Sequence, residues 1–147
     1  MARLVASFFG SGLILGRLRG SHRGSGTVGG ALALAIALLV PPVYGRLTAL
    51  GGAIVLGIWS INALKLGDDD PGWVVIDEAA GTFLATIGLA TPAAIVGWVI
   101  FRFADIAKKA FPGVAAAESV SGGIMADDLV AGLYGLAAGW AVQLIIG

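Results

Sequence analysis

The sequence has no cysteine and only one histidine, His22, among its 147 residues. Disulfides, thiolate nucleophiles and cysteine metal sites are therefore excluded, and cysteine usage leaves the cellular compartment undecided. Charge is scarce as well. Charged residues make up 12% of the chain, against about 25% in a typical soluble domain. There is too little polar side chain to cover a water-exposed globule. The charges that are present cancel to a formal net charge of zero, so composition offers no electrostatic case for nucleic acid. What the chain has instead is 58% hydrophobic residues, 24 glycines and a mean hydropathy of +0.95. These numbers describe an integral membrane protein, a single all-α domain over residues 1–147. We expect a compact bundle of about five to six helices, some short or partly inserted. Glycine in such numbers suits helices that approach closely in lipid.

Arg3 precedes an apolar run over residues 4–16, which is short for a span and reads as a partly inserted helix. No small-x-small cleavage site follows it before the arginines, so it is not read as a signal peptide. Residues 17–27 form a basic loop rich in glycine and serine. At its end Thr27 is the expected N-cap of a helix over residues 28–40, and a helix start beside Gly26 can offer free N–H groups to a phosphate. Taken alone, that pair is more simply a capped helix after a solvated loop. His22 is not favoured as a ligand or base. Pro41-Pro42 ends the helix, residues 44–46 make the turn, and residues 47–64 are long enough for a tilted span. The acidic run Asp68-Asp69-Asp70 precedes Pro71-Gly72 and reads as a solvated loop. It lacks the Asp-x-Asp spacing of an aspartyl-phosphate motif.

Asp77-Glu78 opens the next helix, where one acidic residue would satisfy the dipole and two exceed that need. After Thr91-Pro92 a further helix carries Arg102, Asp105 and Lys108 at successive intervals of three, on one face, with Lys109 beside them. Phe111-Pro112-Gly113 stops it, and residues 114–121 are expected as a loop or a short interfacial helix. Asp127-Asp128 then stands between the glycine-rich stretch Ser121-Gly122-Gly123 and the apolar run 129–146. It reads as an acidic pair at the mouth of a final helix of about 20 residues, which would be about 30 Å long.

If successive segments alternate across a bilayer, all nine acidic residues fall on one face. Seven of the nine basic residues join them, leaving Arg46 and Arg3 on the other. The positive-inside rule makes the charged face cytoplasmic. Five carboxylates at helix ends (Asp77, Glu78, Asp105, Asp127 and Asp128) would repel unless a cation or proton intervened. An oxygen-rich, cysteine-free set suits a hard cation such as Mg²⁺. Arg102 and Lys108 suit a phosphate group, which at a membrane surface belongs to a phospholipid.

Three motifs in order, Asp77-Glu78-x-x-Gly81, Phe101-Arg102-x-x-Asp105-x-x-Lys108 and Gly123-Ile124-Met125-x-Asp127-Asp128-x-x-Ala131-Gly132, resemble the phosphatidylglycerophosphatase A family. Gly26-Thr27 resembles that family's Pro-Gly-Thr loop, with Ser25 in place of the proline. After Lys108 the chain reads Lys109-Ala110-Phe111-Pro112 where the family tends to Pro-x-Pro. The resemblance implies a Mg²⁺-dependent phosphoric monoester hydrolase of the bacterial cytoplasmic membrane, multi-pass, with its site facing the cytoplasm. Its substrate would be phosphatidylglycerophosphate, cleaved to phosphatidylglycerol and phosphate. On that reading Asp77, Glu78, Asp127 and Asp128 supply metal ligands. Asp105 is the favoured base, Arg102 and Lys108 neutralise phosphate oxygens, and Gly26 and Thr27 add backbone donors. Two other readings are weaker. A CDP-alcohol phosphotransferase would need an Asp-x-x-Asp-Gly-x-x-Ala-Arg string that is absent here, and a cation carrier would want its carboxylates near the bilayer midplane.

Overall fold

The computed structural model describes residues 1–67, 69–119 and 123–147, and among these all regular structure is helical. Asp68 and the Ser121-Gly122 part of the glycine-rich stretch lie outside the described residues. Eight α-helices follow in order: α1 (Ala2–Ala6), α2 (Ser11–Arg19), α3 (Ser25–Leu39), α4 (Tyr44–Ala63), α5 (Ile76–Thr86), α6 (Thr91–Ile106), α7 (Val114–Glu118) and α8 (Gly123–Ile146). A 3-10 turn, Lys108–Ala110, links α6 to α7. Six of the eight are nine residues or longer.

The centre is α5, packed by α3, α4, α6 and α8. Nine of its eleven residues are buried, including Thr82 and Thr86, whose hydroxyls donate to the carbonyls of Glu78 (2.7 Å) and Thr82 (2.9 Å). Those bonds leave the helix no unsatisfied hydroxyl in an apolar interior. The α6/α8 contact closes through glycine. A Cβ on Gly97 would stand 2.6 Å from the Ala85 carbonyl oxygen and 3.1 Å from that of Gly135, so only glycine allows the backbones this close. At the far end Arg46 is 3% exposed and donates to the carbonyls of Ala37 (2.8 Å), Leu89 (2.8 Å) and Thr86. It thereby supplies donors that the ends of α3 and α5 lack.

Two helices are long and apolar enough to cross a membrane, Tyr44–Ala63 and Ile124–Ile146. Their apolar windows are only 28% and 22% buried, whereas a core helix of a soluble protein would be mostly covered. Leu47, Val55, Ile58, Trp59, Leu133, Trp140 and Leu144 face outward. Apolar surface on this scale needs lipid or a partner.

Several expectations change. The run 4–16 is not one helix. It breaks at residues 7–10 into an α1/α2 hairpin, with Phe8 (φ 44°) and Phe9 (φ 59°) in left-handed conformation at its tip. Arg3 therefore returns to the charged end, over Trp73 and beside Arg17, and does not join Arg46. The basic stretch 17–27 is largely helical, because α2 runs to Arg19 and α3 starts at Ser25 behind a left-handed Gly24 cap. Thr27 is thus inside the first turn and is not the N-cap. Residues 44–46 open α4 directly. Finally α8 starts at Gly123, which places Asp127 and Asp128 in its second turn. Capping cannot explain them.

Candidate active site

Three helix starts and one helix end converge on the charged end of the bundle. Asp77 and Glu78 occupy the first turn of α5, Asp127 and Asp128 the second turn of α8, and Arg102 and Asp105 the last turns of α6. Asp77, Asp127 and Asp128 are 4%, 6% and 3% exposed.

Their carboxylate oxygens form two groups. Asp77, Glu78 and Asp128 lie within 4.8 Å of one another, and so do Asp105, Asp127 and Asp128. Asp128 belongs to both. Buried oxygens in the first group have no hydrogen-bond donor: Asp77 Oδ1, Glu78 Oε2 and Asp128 Oδ2. Buried carboxylates without donors or cations are strongly disfavoured. The orphaned oxygens and the shared aspartate fit one or two hard cations held entirely by oxygen.

The basic residues bracket these groups. Lys108 Nζ donates to Asp127 Oδ2 at 2.5 Å and to Glu118 Oε1 at 3.0 Å. Arg102 Nη1 lies 2.8 Å from Asp105 Oδ2 as an ion-pair contact out of line for a hydrogen bond. Its Nε and Nη1 are buried without an acceptor, leaving the guanidinium donors free for another anion. The turn into α3 completes the wall. A Cβ on Gly26 would overlap Glu78 Oε1 and stand 3.0 Å from Arg102 Nη2, so glycine lets the α3 start reach the carboxylate.

Loss of water pushes the Asp77 carboxyl well above its ordinary value, and the neighbouring Glu78 and Asp128 charges add to the effect. Glu78 is raised by burial too, with Asp77 and Arg102 pulling the other way. Burial alone would lower the Lys108 ammonium, but its hydrogen bonds to Asp127 and Glu118 prevail and raise it. Lys108 is therefore a fixed cation. For Asp77 and Glu78 burial favours the neutral carboxyl, and a bound cation would favour the charged form.

Of the residues singled out from the sequence, Asp77, Glu78, Asp105, Asp127, Asp128, Arg102, Lys108 and Gly26 come together. The Thr27 side chain is exposed, and Lys109 points to solvent. His22 sits apart, its Nδ1 bonded to the Gly12 carbonyl at 3.2 Å. Two further carboxylates, to which the sequence reading gave no part in the site, stand near it. Glu118 pairs with Lys108 across the α6/α7 link, and no local pattern announces it. Asp70 is raised first by loss of water and then by the Asp127 charge, so it does not stand clear of the site. The Asp70-Pro71-Gly72 turn, just before the buried Val74, was the available signal.

The family model described as phosphatidylglycerophosphatase A matches residues 4–143. A Bacteroides thetaiotaomicron protein that carries the provisional name phosphatidylinositol-3-phosphatase is 32% identical, over 98% of this chain and 94% of its own. The Haemophilus influenzae phosphatidylglycerophosphatase A is 31% identical, over 95% of this chain and 87% of its own. No solved structure matches significantly.

Proposed function

Because the chain belongs to the phosphatidylglycerophosphatase A family of lipid phosphatases, we propose that it hydrolyses phosphatidylglycerophosphate to phosphatidylglycerol and inorganic phosphate. It does so with Mg²⁺, at the cytoplasmic face of a bacterial inner membrane, as one multi-pass domain over residues 1–147.

The observation that carries this reading is Asp128 shared between two carboxylate groups, flanked by Arg102 and Lys108. The carboxylates of the two groups outnumber the side-chain cations beside them, so a phosphomonoester dianion would be repelled from that surface. Divalent cations held there would offset the excess and attract the dianion. Asp77, Glu78 and Asp128 would hold one ion, and Asp127 and Asp128 the other, with Asp105 beside them. Bound there, Mg²⁺ would polarise phosphoryl oxygens and acidify water.

The chain's own residues supply the rest. Arg102 presents donors to the phosphate oxygens, and Lys108 fixes Asp127 while adding positive charge. The Gly26 and Thr27 amides, early in α3, add backbone donors with the helix dipole behind them. Asp105, on the rim of its group, accepts a proton from the attacking water. The water oxygen bonds to phosphorus, the bond from phosphorus to the glycerol oxygen breaks, and that oxygen leaves as the alcohol by taking the proton that Asp105 received.

The Bacteroides relative's printed name favours a second substrate of the same bond type, a phosphatidylinositol 3-phosphate. Phosphate release from both lipids in detergent, with Mg²⁺ and with a chelator, tests the proposal. Faster turnover of phosphatidylglycerophosphate, abolished by chelator, is expected. Preference for the inositol lipid would reassign the substrate, and activity surviving the chelator would overturn the mechanism.

A further inference from the structure

The first 67 residues contain six basic residues and no acidic one; the first carboxylate in the chain is Asp68. Arg46 is taken up by helix-end carbonyls. Four of the others, Arg3, Arg17, Arg19 and Arg23, lie on or next to the α1/α2 hairpin, and among the described residues none forms an ion pair. The phosphatase mechanism uses none of them.

Between α1 and α2 a cleft of about 290 Å³ is lined by Arg3, Leu13, Gly16, Arg17 and His22. One of its cations is held in place. The Arg3 guanidinium stacks 5.1 Å from the Trp73 ring centroid, an arrangement stable at exposed sites and typical of the headgroup level of a membrane. His22 Nδ1 faces the Gly12 carbonyl at 3.2 Å. A carbonyl only accepts, so Nδ1 carries the proton and donates it to Gly12, which leaves Arg3 and Arg17 as the donors of the cleft to an anion. Gly16 makes the space: a Cβ there would stand 2.7 Å from His22 Nε2. The outside of the same hairpin is apolar, with Leu4, Phe9 and Leu18 exposed by 50%, 70% and 76%. A free anion would need the cations alone. A molecule matching both surfaces has an anionic head and a hydrocarbon body.

We propose that this cleft binds the phosphodiester headgroup of an anionic phospholipid from the surrounding leaflet, at a site separate from the carboxylate groups. Basic clusters at the cytoplasmic membrane boundary recognise such headgroups by the same charge pairing. The lipid anchors the hairpin in the leaflet beside the start of α3. Because the assignment uses no residue of the carboxylate site, its test stands apart from phosphatase activity.

The test is native mass spectrometry of the purified chain in detergent with phosphatidylglycerol or phosphatidylcholine. Phosphatidylglycerol should be retained about tenfold over phosphatidylcholine. The Arg3→Gln/Arg17→Gln variant, altered only at exposed side chains and checked for an unchanged melting temperature, should lose that preference. Asp128→Asn should keep it, and excess inorganic phosphate should not displace the lipid. Undiminished preference in the double variant would overturn the proposal, as would displacement by inorganic phosphate, which marks a free-anion site. Loss in Asp128→Asn would overturn it too, since the lipid would then be in the carboxylate site.

Discussion

Asp128→Asn should stabilise the metal-free protein and remove most of its gain from metal. Two unit negative charges at the 4.8 Å limit of each carboxylate group repel by about 3.5 kcal/mol at an effective dielectric constant of about 20. Asp128 has such neighbours in both groups, whereas Asp77 or Asp105 has them in one. Protonation limits the repulsion, so the net relief on neutralising Asp128 is about 1–3 kcal/mol. At roughly 2–4 °C per kcal/mol for a chain of this size, metal-free Asp128→Asn should melt about 2–12 °C higher than the native sequence in detergent with chelator. With Mg²⁺ the gap should close, and reverse wherever the relief is smaller than the metal's increment. A ligand present at about a hundredfold excess over its dissociation constant stabilises by about 2.7 kcal/mol. The native protein gains that increment, while the variant, lacking the shared ligand, gains little. Phosphate release should fall at least about 100-fold. The reasoning is refuted if Asp128→Asn melts lower than the native protein in chelator yet keeps the full Mg²⁺ increment.

Gly26→Ala forces Glu78 aside by its tip, so the fold should survive while kcat/KM drops about 10- to 100-fold; Gly51→Ala, with open space around its Cβ, should leave activity unchanged. Lys108→Met removes the donor to Asp127 and should lower kcat/KM by about 10²–10³. Glu118, whose side chain is 58% exposed, should tolerate glutamine within about threefold. The pH dependence follows from Asp77 and Glu78, whose folded-state values lie above 3.8 and 4.5. A raised carboxyl favours folding below its unfolded value, and that contribution is lost as pH rises through the folded value. The metal-free melting temperature should therefore fall as pH climbs above about 4.5, and Mg²⁺ should flatten the slope.

The three acidic and basic motifs were legible because each stands out against apolar neighbours, and because Arg102, Asp105 and Lys108 repeat at helical spacing. Their convergence was also readable, since helix starts and ends alternate along the chain. The hairpin was not. Its break requires Phe8 and Phe9 in left-handed backbone, a conformation their residue type disfavours, imposed by packing such as Phe8 against Phe83. Once the chain turns back there, Arg3 changes ends. The start of α8 was placed at Asp127 because two aspartates resemble a capped first turn; burial among other carboxylates places them one turn further in. Thr27 misled for the same reason, as a good cap residue where Gly24 already turns the chain.

The most direct test of the paired carboxylate groups is the number of divalent ions they hold. Mn²⁺ titrated into the purified protein and read by electron paramagnetic resonance should give two ions per chain, spin-coupled through Asp128, and one or none in Asp128→Asn. Lipid phosphate release by a protein that binds no Mn²⁺ or Mg²⁺ would contradict the account.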